Sequence, residues 1–163
     1  MKKNEYLELD EINLQLLDLL QQDSSQSNQA LAERVNVSPP TCLRRIKRLH
    51  EAGLIERQVA ILRPERVASL LGHGLQTIVE ITLERQGAEL LEAFEARAVE
   101  DSAVQQCWRV SSGPDFVLIT YTRDMPAYLA LAQRLFTSDA NVRNVRAFFA
   151  TRRAKFDPRT PLV

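Results

Sequence analysis

Residues 38 to 53 constrain this chain most, because they read as one helix with a fixed start, a fixed stop and two unlike faces. Ser38 offers a hydroxyl cap, and Pro39 stands at the first helical position, where its missing N–H costs nothing. Gly53 supplies the left-handed residue that ends a helix near Ala52. At about 100° per residue, Cys42, Leu43, Ile46, Leu49 and His50 fall on one arc. Thr41, Arg44, Arg45 and Arg48 fall on the opposite arc. A helix divided in this way packs its apolar side against neighbours and turns its cations outward.

The neighbours lie upstream. Asp10 is a good N-cap for a helix in which Ile12, Leu16, Leu19 and Leu20 recur at helical spacing to about Gln22. Asp23-Ser24-Ser25-Gln26 reads as a turn, and Ser27 caps a second, short helix carrying Leu31 and Val35. Asn36-Val37 makes the next break. Three short helices with a sharp turn before the third form the helix-turn-helix pattern, whose last helix enters the major groove of double-stranded DNA. Thr41, Arg44 and Arg45 are expected near base edges and Arg48 near phosphate. Ser27 and Asn28 are expected at phosphate, since helix N-termini favour anions. Ser38, at the start of the third helix, is counted with the DNA-binding set. Leu54–Leu62 is rich in β-forming residues and fits a two-stranded wing, with Arg57 placed to touch backbone phosphate.

Charge supports this placement. The formal net charge is zero, so the whole-chain balance is silent, but residues 34–66 hold eight basic against three acidic side chains. Residues 1–33 hold two basic and seven acidic. A local cationic block in a neutral chain is what a phosphate-facing surface requires. The function classes that need other signals find little support. No run approaches the roughly 20 apolar residues of a membrane span, and Met1-Lys2-Lys3-Asn4-Glu5 does not open a signal peptide, so a cytoplasmic protein is expected. Cys42 and Cys107 lack CxxC partners, which predicts reduced thiols and no metal site. No phosphate loop or Ser/His/Asp set is visible, and no cofactor is expected.

Residues 1–63 therefore form the expected winged helix-turn-helix domain, 64–74 a connector, and 75–163 a second domain. In the latter, Val79, Ile81 and Leu83 alternate with polar residues as a half-buried strand, and Gly87–Val99 returns to helical spacing. Val104–Val110 reads as a strand with Val104, Gln106, Trp108 and Val110 on one face. Phe116–Thr122 reads as a central strand. Asp124 caps a helix carrying Leu129, Ala132, Leu135 and Phe136, and Val142 to about Thr151 forms the last strand. The order β-α-β-β-α-β is the ferredoxin-like α+β arrangement, one antiparallel sheet with both helices on one face. The other face carries apolar residues from several strands, which predicts a homodimer through the sheets and further assembly of dimers.

These stretches resemble the Lrp/AsnC (feast/famine) family of transcription regulators. The resemblance rests on Leu9-Asp10-Glu11-Ile12, Ala30–Ser38, Cys42–Leu49 and Glu51–Ile55 in the first domain. In the second it rests on Cys107–Ser111, Asp115–Leu118 and Val142–Val145. It implies a dimer or octamer that binds DNA near promoters and takes an amino acid where second domains of adjacent dimers meet. By position, Val110, Ser112, Gly113, Asp115, Met125, Phe148 and Phe149 are the implied effector residues. Family members usually carry glycine where Ser112 stands, whereas here glycine comes one place later.

Two other readings compete. Siroheme decarboxylases are similar to this family in both domains, and their chemistry would call on His50 or His73. A pure interaction module would turn the basic helix toward an acidic protein.

Overall fold

A computed structural model describes residues 9–162; the reading of Met1–Glu5 lies outside the described residues. The chain folds as two compact units. One comprises the residues up to Ile61 together with the tail from Lys155, the other Leu62–Ala154. The tail thus departs from the expected second domain, and the expected connector belongs with the sheet.

In the helical unit, α1 (Glu11–Gln22), α2 (Asn28–Arg34) and α3 (Pro39–Glu51) follow the expected order. Asp10 caps α1 by accepting the Asn13 N–H, and Ser27 caps α2 by accepting the Ala30 N–H. Asn36 takes a left-handed φ of 52° after α2, a conformation asparagine tolerates better than most residues. The core joins Leu16, Leu17 and Leu19 of α1, Leu31, Ala32 and Val35 around α2, and Cys42 and Leu49 of α3.

Two expectations fail here. Leu43 is 59% exposed and His50 is exposed, so neither lies on the buried side of α3. The buried side centres on Cys42 and Leu49 with Ile46 half-buried, which rolls the helix by roughly 40° from the arc drawn on the sequence. The two strands expected of the wing also do not pair among the described residues: residues 54–63 are exposed chain apart from Ile55, which is half-buried against the helical core. β-forming composition alone makes no strand, because the backbone groups of an extended segment need a second one to pair with.

In the second unit, the expected connector forms α4 (Pro64–Leu71), ended by Gly72 at φ 70°. Then come β1 (Leu75–Leu83), α5 (Ala88–Glu100), β2 (Val104–Arg109), β3 (Phe116–Thr122), α6 (Met125–Ala132) with a π-helical turn at Gln133–Thr137, and β4 (Val142–Phe149). The strands form one antiparallel sheet in the order β2-β3-β1-β4, as the ferredoxin-like reading requires. Val79, Ile81, Leu83, Phe116 and Leu118 meet Phe94 and Ala98 of α5, with Tyr128, Leu131, Leu135 and Phe136 on the other helical segment. Phe94 and Phe116 lie with ring centroids 4.8 Å apart.

Two facings differ from expectation. In β2 a register shift between Val104 and Gln106 breaks the alternation, so Cys107 is half-buried toward the core while Gln106 and Trp108 are exposed. In α6 the buried residues are Tyr128 and Leu131, while Leu129 is 59% exposed. That helix reads MPAYLALA, so hydrophobic periodicity has no polar face to contrast with.

Candidate DNA interface and ligand site

The exposed side of the helix-turn-helix is built from α3. Thr41 is half-buried at its N-terminal turn, and Arg44 and Arg48 are exposed one turn apart. Neither arginine pairs with a carboxylate among the described residues. Lys47 has an i,i+4 contact with Glu51 at 3.7 Å, both side chains well exposed. Such a pair is worth only a few tenths of a kcal/mol.

Arg45 departs from this set. Its Nη1 donates to Asp10 Oδ2 at 2.7 Å, to Asp10 Oδ1 at 3.0 Å and to Asn13 Oδ1 at 3.0 Å. Its side chain is 26% exposed. The placement of Arg45 at base edges is therefore corrected: the roll of α3 carries it toward the N-terminus of α1. The Asp10 carboxyl lies below its ordinary range, first because it accepts the Asn13 backbone N–H and then because Arg45 stands beside it, against an opposing effect of burial.

The start of α3 is tied to the start of α2. Asn28 Nδ2 donates to the Pro39 carbonyl at 2.8 Å, and Ser38 Oγ donates to Thr41 Oγ1 at 2.9 Å rather than capping the helix. Pro39 and Pro40 bring no N–H to the first turn, which leaves that terminus poor in anion donors. Ser27 is exposed at its cap. Arg57 is exposed in the unpaired segment and lies 3.5 Å from Glu56.

In the second unit the seven implied effector residues separate into two groups. Val110, Ser112, Gly113 and Asp115 surround the β2–β3 turn, closed by the Val110 N–H on the Asp115 carbonyl at 3.0 Å. The Asp115 carboxylate accepts the Leu83 N–H at 2.7 Å and its own N–H donates to the Ile81 carbonyl at 2.8 Å, so this side chain stitches the turn to the end of β1. Ser112, not Gly113, takes the left-handed conformation, at φ 65°. Met125, Phe148 and Phe149 lie at the opposite end of the sheet, where Leu75 pairs with Thr122 and Thr77 with Phe149. The six residue steps of β3 from Phe116 to Thr122 span about 20 Å, so one chain does not bring the two groups together. Met125, Phe148 and Phe149 are 41–44% exposed. Phe149 stands edge-on to Tyr128 at 5.1 Å on the helix side, whereas Phe148 pairs with Ile78 on the open side. Trp108, Ile78 and Phe148 are exposed apolar groups on that open face, where Glu80 and Arg146 pair at 3.3 Å.

Burial raises the Cys42 thiol, and burial followed by the Glu95 charge raises the Cys107 thiol, so both stay protonated at neutral pH. Among the described residues no group of three or more His, Cys, Asp and Glu side chains is placed to hold a metal ion. His50 lies on α3 and His73 beyond α4, in different units. No helix among the described residues is long and apolar enough to cross a membrane.

Sequence reasoning missed the Asp10–Asn13–Arg45 contact and the place of the tail. In the tail, Thr160 donates its N–H to Gln21 Oε1 at 2.6 Å and accepts Gln21 Nε2 at 3.1 Å, while Leu162 packs on the helical core. Neither contact has a local periodic signal, since the partners stand 35 and 139 positions apart.

Comparison with known proteins gives consistent matches. Residues 9–56 match a winged helix-turn-helix DNA-binding family, and residues 76–160 match the Lrp/AsnC ligand binding domain. A leucine-responsive regulatory protein of Rhizobium meliloti is 36% identical over 149 residues, covering 91% of this chain and 93% of that protein. The DNA-binding transcriptional activator DecR of Escherichia coli is 34% identical over 154 residues, covering 94% and 99%. Among solved structures, an AsnC family transcriptional regulator from Agrobacterium tumefaciens superimposes with a TM-score of 0.81 at 30% identity, covering 94% of this chain and 97% of that one. A Neisseria meningitidis transcriptional regulator in complex with L-Met superimposes with a TM-score of 0.82 at 29% identity and the same coverage.

Proposed function

The chain belongs to the Lrp/AsnC family of DNA-binding transcription regulators, and from that premise we propose which of its surfaces meet DNA, an effector and a second copy. Arg44 and Thr41 face base edges and Arg48 meets phosphate, with Ser27, Asn28, Ser38 and Arg57 as flanking backbone contacts. The observation that carries this assignment is the pair of exposed arginines on α3 that have no carboxylate partner among the described residues. Their charge remains available to phosphates and to the edge of guanine, where arginine binds two acceptors at once.

The effector is an amino acid, as the L-Met held by the Neisseria relative suggests. Its site forms between copies. The turn around Ser112 and Asp115 and the apolar group of Met125, Phe148 and Phe149 lie at opposite ends of one sheet, so a second chain must complete a pocket that uses both. The open sheet face, with Trp108, Ile78 and Phe148 exposed, supports a homodimer and further assembly of dimers toward an octamer. We place the working protein in the cytoplasm, where its DNA is. The matched relatives are regulators, which supports a non-enzymatic role over the siroheme-decarboxylase-like alternative.

The test is DNA binding by fluorescence anisotropy at several salt concentrations. Arg44→Ala is expected to weaken binding to the specific duplex and relax sequence preference, and Arg48→Ala to weaken binding to all duplexes and lower the salt slope by about one. Wild-type affinity and slope in both variants would overturn the assignment. A thermal-shift series with the twenty amino acids tests the effector, since a ligand of the folded state raises its melting temperature.

A further inference from the structure

We propose that Arg45, although it stands between the two DNA-facing arginines, is a positioning residue: Asp10 and Asn13 hold it, and through it they fix the roll of α3 on α1. The inference rests on the DNA-binding face assigned above and divides the labour within it. Three observations carry it.

The contact is specific in its geometry. A single guanidinium nitrogen reaches both carboxylate oxygens of Asp10 and the amide oxygen of Asn13 within 2.7–3.0 Å. Asp10 also caps α1 through Oδ1, at 2.8 Å from the Asn13 nitrogen. One carboxylate therefore fixes the first turn of α1 and receives a cation from the middle of α3.

The contact also sits where it has leverage. The apolar seam between α3 and the rest of its unit uses Cys42, Ile46 and Leu49, three positions close to one line along the helix. Such a seam restrains the distance between helices better than rotation about the helix axis. Arg45 projects from the side of that line, so its tether resists rotation. A turn of a few tens of degrees would redirect Arg44 and Arg48 away from a groove.

Finally, the tether removes Arg45 from the available charge. Asn13 is 4% exposed and Arg45 26% on its side chain, so swinging Arg45 out to DNA would take one donor from a buried amide oxygen and leave the Asp10 carboxylate without its cation. Arg44 and Arg48 meet no such opposition.

The experiment compares Arg45→Ala, Arg45→Lys, Asp10→Asn and the double variant Asp10→Asn/Arg45→Ala with Arg44→Ala, measuring affinity for a specific duplex against salt. Asparagine keeps the N-cap of α1 and removes only the charge. Arg45→Ala and Asp10→Asn should each weaken specific binding at least about threefold, up to the roughly hundredfold that full loss of a charge-assisted hydrogen bond corresponds to. Both should leave the salt slope unchanged. The double variant should bind no worse than Arg45→Ala alone, because both changes remove one interaction. Arg45→Lys should bind within about threefold of wild type, since one ammonium offers three donors from a single nitrogen. A guanine-reading arginine is not replaced so easily.

The proposal fails if Arg45→Ala lowers the salt slope by about one, if Asp10→Asn binds DNA as well as or better than wild type, or if Arg45→Lys is as damaging as Arg45→Ala. Should Arg45→Ala not fold, the lysine and asparagine variants still decide. If Arg44→Ala is silent as well, it is the DNA-facing assignment of α3 that falls, a different failure from that of the tether.

Discussion

Ser112 carries a clear individual signal of strain. An L residue held at φ 65° crowds its Cβ against the following carbonyl, and glycine escapes that cost. The turn holds a left-handed backbone at the position where the family resemblance leads one to expect glycine, and serine bears it. Ser112→Gly is expected to stabilise the second unit by about 0.5–1 kcal/mol, read as a higher melting temperature. An unchanged or lower one would show that the serine hydroxyl compensates. Asp101 gives a second residue-level expectation. Arg134 donates to it at 2.5 and 3.0 Å and holds its carboxyl below the ordinary 3.8, against burial, with the Ala103 N–H adding to the depression. A carboxylate depressed in the folded state contributes stability that is present above its unfolded pKa and is lost as pH falls through the folded value. Acid unfolding should therefore show a loss of stability beginning near pH 4 and growing below it. Asp101→Asn, which keeps an oxygen for Ala103, should flatten that part of the profile.

Among the elements, β1 depends on a residue at its entry. Gly74 has a φ of 148°, and a Cβ there would collide with the Tyr121 hydroxyl and press on Ala68 of α4. Gly74→Ala is expected to cost about 1–3 kcal/mol in chemical denaturation. Adding Tyr121→Phe should recover the part due to the hydroxyl and not the part due to the backbone. Elements also mark where pattern reading works. Apart from the wing strands and the unforeseen α4, the strands and helices fell at their expected places because alternation and capping are local physics, set by Asp10, Ser27, Gly53 and Asp124. Facings were less legible. The irregularity in β2 moved Cys107 inward and Trp108 outward, α6 offered no polar contrast, and α3 settled with Arg45 rather than Leu43 nearer its neighbours. In each case the choice of face was made by what lay opposite.

For the molecule as a whole, the helical unit is assembled from both ends of the chain. The Gln21–Thr160 hydrogen bonds and Leu162 bring residues 155–162 onto the helices, so removal of the chain after Ala154 should destabilise that unit by about 1–2 kcal/mol. Circular dichroism melts of truncated and full-length protein check this, and Gln21→Ala should reproduce part of the loss. Trp108→Glu together with Phe148→Glu should shift the mass measured by light scattering toward the monomer if the open sheet face joins two copies. An unchanged mass would place the interface elsewhere. The sequence by itself determined the three helices of the first unit, the elements of the second from β1 to β4 with their ferredoxin-like order, and the cationic helix, because these follow from periodicities and caps that span only a few residues. Tertiary structure alone decided that Arg45 is tethered, that the tail joins the first unit and that the implied effector residues split between the two ends of a sheet. Those outcomes depend on groups far apart in the chain meeting at hydrogen-bond distance, and no local pattern encodes such a meeting.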